Sequence, residues 1–349
     1  MGGMSAHRAR HGLPALAATA ALLVALVQLG SSCTSSNSMK KGNEGGSGGG
    51  SGGATSTGGT AGTSPTPVGG TGGGATAEPR SDLKLFWVGH SLMNTDVPWM
   101  VKGIAESAGL TTMYRQQLNI GAALRANWEQ PTRFNTIPVW NDRLGRDEDW
   151  GANPQTELPT GKYDALVLTE AIPVDKQIDS ALYAGNYVDL AMRGRKDTAV
   201  YLYETWDFVA AGGWPAWRTR IDQWRPVWEK IADDVMAKRP GGPIMHIVPG
   251  GQAMAALYDA IKAKGSVGQL TDIKQVFEDD IHLNPTGNYF IALVSYATVF
   301  RRDPSGTGAV SAGPFKKDTI VVTDQPTRSA LQALAWQVAR GYTRSGLNR

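Results

Sequence analysis

Leu83-Lys84-Leu85-Phe86-Trp87-Val88-Gly89-His90-Ser91-Leu92-Met93-Asn94 is the stretch from which the fold of this chain is read. Residues 83–88 form a short, largely apolar run, and Gly89 ends it. A run of that length without polar alternation suits a strand buried on both faces, the usual environment of a parallel sheet. Residues 96–108 then have helical spacing, with Pro98 tolerated in the first turn. Working outward, 112–118, 165–169 (ALVLT), 199–203 (AVYLY) and 244–248 (IMHIV) are further strand candidates. Helical stretches lie between them. The clearest is 217–238, where Trp217, Ile221, Trp224, Trp228, Ile231 and Val235 form one apolar stripe at steps of three and four. Residues 285–301 and 327–342 read as two more helices. Strands alternating with helices predict an α/β fold, a three-layer α/β/α sandwich around a parallel sheet of about five strands. In such sheets ligands bind beyond the carboxyl ends of the strands. A ligand is therefore expected beside 89–94, 119–124, 170–173, 204–207 and 249–252. No internal repeat is present.

Composition narrows the function. The chain has 349 residues, 41% hydrophobic and 19% charged, with a net charge of +3. That charge gives no field for nucleic acid, and the apolar content is too high for a disordered chain. One Cys excludes a disulfide scaffold or a Cys-rich metal site. No His/Cys/Asp cluster has ligand spacing, and no phosphate-binding glycine loop occurs in the folded part, so neither metal nor nucleotide cofactor is expected. Residues 42–74 hold 16 of the 43 glycines, interleaved with Ser and Thr. Such a segment, 34–79, is expected to be a disordered linker with a reach of roughly 35–40 Å. Residues 80–349 then make one large, nearly neutral domain.

The N-terminus reads as an address. Arg8 and Arg10 precede an apolar run from 13 to 29, and Gly30-Ser31-Ser32 leads to Cys33. A positive end, an apolar stretch and small residues are the layout of a secretory signal. Cys33 stands where a bacterial lipoprotein carries its lipid, and the linker follows at once, as in lipoproteins that hold a domain off a membrane. Gly30, not Leu, lies three residues before the Cys; Leu29 is one further back. The expectation is export, with lipid attachment at Cys33, plain secretion or an uncleaved anchor as the outcomes.

Two blocks carry chemistry. Gly89-His90-Ser91-Leu92 follows the first strand, and Asp279-Asp280-Ile281-His282 precedes a late helix. A serine hydroxyl is a poor nucleophile without an adjacent base. Histidine suits that task because its unperturbed pKa is about 6.5. The imidazole in turn needs an acceptor on its other nitrogen. Asp279, three residues before His282, can curl back onto it in one tight turn; Asp280 is the nearer alternative.

With these blocks in this order the chain resembles the SGNH/GDSL hydrolase family. The resemblance rests on Phe86-Trp87-Val88-Gly89-His90-Ser91-Leu92 and Asp279-Asp280-Ile281-His282-Leu283-Asn284. It implies a flavodoxin-like sandwich with Ser91 as nucleophile, His282 as base and Asp279 as the orienting acid. It also implies an oxyanion hole from the amides of Ser91 and Gly121. The family's further donor, an Asn after the third strand, is missing: this chain reads Leu168-Thr169-Glu170-Ala171-Ile172-Pro173. The other serine signature, G-x-S-x-G, fails because Met93 stands at its last glycine.

The remaining candidates have two readings each. His90 is a loop neighbour of Ser91 or a substrate contact. Glu170 is a pocket residue or a buried strand-end carboxylate held by an Arg. Trp128, Trp206 and Trp214 are platforms for sugar rings or packing residues. Glu204 and Asp207 could bond hydroxyls, while His246 reads as core. The resemblance implies a serine esterase; export, the eleven Trp and the near-neutral charge favour small acyl groups on carbohydrate, such as acetyl, as its substrate. A lipase or thioesterase, and a surface glycan-binding protein on the same fold, are the other readings.

Overall fold

The computed structural model of the protein describes residues 78–131, 138–141, 146–149, 151–210 and 212–348. Residues 1–77, with Cys33 and most of the glycine-rich segment, lie outside the described residues. Among the described residues no helix is long and apolar enough to cross a membrane.

The elements run β1 (Lys84–Gly89), α1 (Asp96–Ser107), β2 (Met113–Leu118), α2 (Leu124–Glu129), β3 (Pro138–Asn141), β4 (Arg146–Asp149), α3 (Pro154–Glu157) and β5 (Ala165–Leu168). They continue through α4 (Ser180–Gly194), β6 (Ala199–Tyr203), α5 (Gly213–Ala237), β7 (Met245–Val248), α6 (Gly250–Lys264), α7 (Pro285–Phe300) and α8 (Gln325–Gly341). Five strands form one sheet in the order β2-β1-β5-β6-β7, with every neighbouring pair parallel. This is the three-layer, flavodoxin-like α/β/α sandwich expected from the alternation. An antiparallel hairpin, β3–β4, is inserted between α2 and α3. Its second strand reads RDED, which carries no apolar alternation and so no strand signal in the sequence.

Both faces of the sheet are buried. Leu85, Trp87, Val167, Tyr201, Tyr203 and Val248 point into a core shared with α1, α6, α7 and α8. Phe86, Val88, Leu166, Leu168, Val200, Leu202, Met245 and Ile247 point the other way, onto α4 and α5. The stripe on α5 divides between the two. Trp217 and Ile221 join the first core, while Trp224, Trp228, Ile231 and Val235 join the second. The helix starts after the carboxyl end of β6, where no strand separates the faces. Helix α7 is buried all round from Gly287 to Phe300 and packs against α1 and α8. Asn284 caps it, accepting from the amides of Thr286 at 3.0 Å and Gly287 at 3.2 Å.

The end of β1 has no room for a side chain. A Cβ at Gly89 would lie 2.6 Å from Thr169 Cγ2 and 3.1 Å from Met93 Sδ. Gly89→Ala is therefore expected to lower the unfolding free energy by about 1–3 kcal/mol in urea titrations. Thr169→Ser removes Cγ2 but keeps the hydroxyl that donates to the Tyr203 carbonyl at 2.8 Å. The double variant should recover most of the loss; equal costs in both backgrounds would refute the close contact.

Candidate active site

The parallel register puts the carboxyl ends of β1, β2 and β5 side by side, with Gly89 opposite Leu118 and Val88 opposite Leu168. Ser91 lies in the turn just past β1. The amides of Met93 and Asn94 both donate to the His90 carbonyl at 3.0 Å, which closes that turn. Asn94 adopts φ +41°, a region that Asn tolerates better than most residues. Its side chain accepts from the amides of Asp96 at 2.6 Å and Val97 at 3.2 Å, tying the turn to the start of α1. The buried Tyr203 hydroxyl donates to the Leu92 carbonyl at 3.2 Å from below.

The second half of the site comes from the turn before α7. Asp279 Oδ1 accepts from the amides of Ile281 at 2.8 Å and His282 at 2.6 Å. Its Oδ2 lies 2.7 Å from His282 Nδ1. On the far side of the ring, His282 Nε2 lies 3.1 Å from Ser91 Oγ, across 191 positions of sequence. Hydroxyl, imidazole and carboxylate are thus in one line of hydrogen bonds. Of the two adjacent acids, Asp279 meets the ring. Asp280 is exposed and meets the rest of the site through its backbone, its carbonyl accepting from Val209 N at 2.9 Å. Partial burial pushes the Asp279 carboxyl up, but the His282 and Ile281 amides and the His282 ring outweigh it and hold the group below its ordinary range.

Several other candidates fall elsewhere than substrate contact would require. Trp206 is fully buried and offers no platform. Its indole N–H donates to the Ile281 carbonyl at 2.8 Å, and its ring meets Phe277 edge-on. It clamps the turn that bears His282, a role that a Trp beside a loop does not announce in sequence. His90 is also buried. Its Nε2–H donates to the Glu170 carbonyl at 2.9 Å, and its Nδ1 accepts from Leu92 N at 3.4 Å. This pattern requires a neutral ring with one donor and one acceptor. Glu170, 1% exposed, is a buried strand-end carboxylate, but amides hold it and not an Arg: Leu124 N at 3.0 Å and Ala171 N at 2.7 Å. Burial pushes this carboxyl up, and the two amides partly offset the shift. Trp128 is half-buried on α2, edge-on to Tyr187 at 5.1 Å, and Trp214 packs on Trp217 and Phe277. Asp207 is buried and paired with Arg220. Glu204 is buried and accepts from Gln252 Nε2 at 2.9 Å; burial raises it to about 8.

Gly121 is exposed and sits at φ +67°, where a side chain would be strained. Among the described residues, the amides of Ser91 and Gly121 have no acceptor within the protein. Neither nearby side chain supplies a third donor. The Thr169 hydroxyl is spent on Tyr203, and Asn127 Nδ2 points at the carbonyls of Gly89 and Ala123, at 3.4 and 3.3 Å. Among the described residues no group of three His, Cys, Asp or Glu could hold a metal ion. The exposed apolar side chains of Ile120 and Phe208 stand beside Gly121 and Val209, at this same end of the sheet.

No family model matches the chain, and no curated protein matches it. Among solved structures, a DUF4886 family protein from Bacteroides uniformis superposes with a TM-score of 0.52 at 18% identity, covering 75% of this chain and 96% of that one. That likeness shows the α/β/α fold. A gut microbial diltiazem-metabolizing enzyme is more distant, with a TM-score of 0.33 at 10% identity over 63% of this chain and 47% of its own.

The buried ring beside Ser91 sets a pH dependence. Burial above all, with repulsion from His282, lowers His90 to about 4, against the opposing bond to Glu170. An unfolded imidazole titrates near 6.5, so between these values the unfolded chain binds the extra proton. Stability from this group is complete above that range and is lost as pH falls toward 4, by up to about 3 kcal/mol. Denaturant titrations at pH 7 and pH 5 should show wild type losing more stability than His90→Gln. Identical pH dependence in the two would refute a buried neutral ring.

Proposed function

We propose that the protein is a serine ester hydrolase of the SGNH type, acting outside the cytoplasm. The single observation that carries this reading is the pair of contacts on His282: Nε2 to Ser91 Oγ at 3.1 Å and Nδ1 to Asp279 Oδ2 at 2.7 Å. A hydroxyl so placed loses its proton to the imidazole as it attacks an ester carbonyl. Asp279 fixes the tautomer with the proton on Nδ1 and stabilises the imidazolium. The amides of Ser91 and Gly121 receive the negative oxygen of the tetrahedral intermediate. The intermediate collapses, His282 protonates the departing alcohol, and an acyl group remains on Ser91. Water, deprotonated by the same ring, then attacks and releases the acid.

The proposed substrate is a small acyl ester, acetyl first, on a carbohydrate. The export expected from the signal-like residues 1–33 supports this, because an envelope or secreted enzyme meets polysaccharide. Exposed Ile120 and Phe208 offer the acyl group apolar contact. Trp206 offers the sugar none, since it is buried.

A fluorophosphonate probe should label the purified chain, and Ser91→Ala should abolish both labelling and release of p-nitrophenol from its acetate. Asp279→Asn should cut turnover on the order of 10³–10⁴-fold. Labelling that survives Ser91→Ala would overturn the mechanism. Binding of glycan without any labelling would instead favour a binding protein on this fold.

Trp206→Phe tests the clamp. It leaves the Ile281 carbonyl without its donor, at a cost of about 1–3 kcal/mol. Turnover should fall with little change in KM, because the ring supports His282 and does not touch substrate. Unaltered kcat would remove Trp206 from the machinery.

A further inference from the structure

We infer that a cleft at the pole of the domain opposite Ser91 binds a phosphate group. Helix α7 carries the chain from the His282 turn to this pole, about 24 Å away at 1.5 Å per residue. There Arg301, Arg302 and Arg340 line a cleft of about 420 Å³ together with Trp336, Tyr296 and Pro79. The inference is independent of the hydrolase reading.

Charge is the first argument. Arg195, Arg218, Arg220, Arg225, Arg239 and Arg344 each pair with a carboxylate. Among the described residues no ion pair joins Arg301, Arg302 or Arg340 to any carboxylate. The acid that lines the cleft, Asp303, accepts from the amide of Ser305 at 2.8 Å. That carboxylate, a full charge, and the C-terminal ends of α7 and α8, each worth roughly half a charge, offset about two of the three guanidinium charges and leave the cleft cationic.

Positioning is the second argument. Arg302 Nε donates to the Arg80 carbonyl at 2.8 Å, which anchors the guanidinium. Arg340 lies over the Trp336 ring at 5.6 Å, which holds its planar group in place. Arg301 follows α7 at φ +56°, and its Nε is buried with no acceptor in the protein. Planar guanidiniums in pairs match phosphate oxygens, and the exposed Ser305 at the rim adds a hydroxyl donor. Trp336, Tyr296 and Leu347 give the same cleft an apolar wall for whatever carries the phosphate. Pro79, where residues 1–78 join the domain, is part of the lining. A lipid headgroup and a soluble phosphate ester share this chemistry.

The test uses the full chain. Inorganic phosphate should raise the melting temperature of wild type, and the effect should weaken as NaCl is added. Arg340→Gln changes an exposed side chain and should keep the fold, as unchanged far-ultraviolet dichroism and an unchanged melting temperature without phosphate will show. It should need about tenfold more phosphate for the same shift. Arg301→Gln and Arg302→Gln should do likewise. Flotation with vesicles of phosphatidylglycerol and phosphatidylcholine, against phosphatidylcholine alone, separates the sources. Arginine-dependent binding to the anionic vesicles assigns the site to a headgroup; a phosphate response without it assigns a soluble phosphate ester. No phosphate response in wild type, or the same response in Arg340→Gln, overturns the proposal.

Discussion

A sheet buried on both faces leaves its helices little freedom, and the geometry of the candidate site follows from that. Leu85 and Trp87 face one core and Phe86 and Val88 the other, so β1 must be covered on each side. The cover on the first side includes α7, apolar around its whole circumference. It packs with its N-terminal end toward the carboxyl ends of the strands. The turn ahead of it, carrying Asp279 and His282, is thereby delivered beside the turn after β1. Two segments 191 positions apart meet because a helix has to be buried.

Local hydrogen bonds then convert that approximate placement into an aligned site. One carboxylate, Asp279, takes two backbone amides and one imidazole nitrogen, so the turn and the ring orientation are set by the same group. From beneath, Trp206 and the Val209 amide hold the carbonyls of Ile281 and Asp280. On the other side, His90 ties the Ser91 turn to the end of β5 through the Glu170 carbonyl. Glu170 in turn pins the start of α2 near Gly121. Residues that read as substrate contacts are therefore the scaffold of the turns. Polar side chains at strand ends are drawn to unpaired backbone groups there, and burial follows once those bonds are made.

The two poles of the sheet differ in character. The carboxyl pole holds a neutral imidazole, buried acids and exposed apolar side chains. The amino pole gathers Arg301, Arg302 and Arg340, which form no ion pair among the described residues, beside Pro79. Helix α7 spans the distance between them.

The alternation of 83–88, 165–169, 199–203 and 244–248 with helical stretches was enough to read a parallel α/β sandwich, because continuous apolar runs of that length have few other uses. Ser91, His282 and Asp279 were legible as candidates because their chemistry demands those residue types at those spacings. The hairpin formed by β3 and β4 was not, since RDED carries no period-two apolar signal. Nor was the burial of His90, Glu170 and Trp206, because exposure at a strand end depends on which loop folds over it. Residue types and periodicity, set by the backbone's own geometry, determine what the elements are. Which acid meets the ring, which tryptophan is a clamp and which arginines pair with a carboxylate were decided only when distant segments packed. Hydrogen bonds and ion pairs act over a few ångströms, and the order of residues along the chain does not contain those distances.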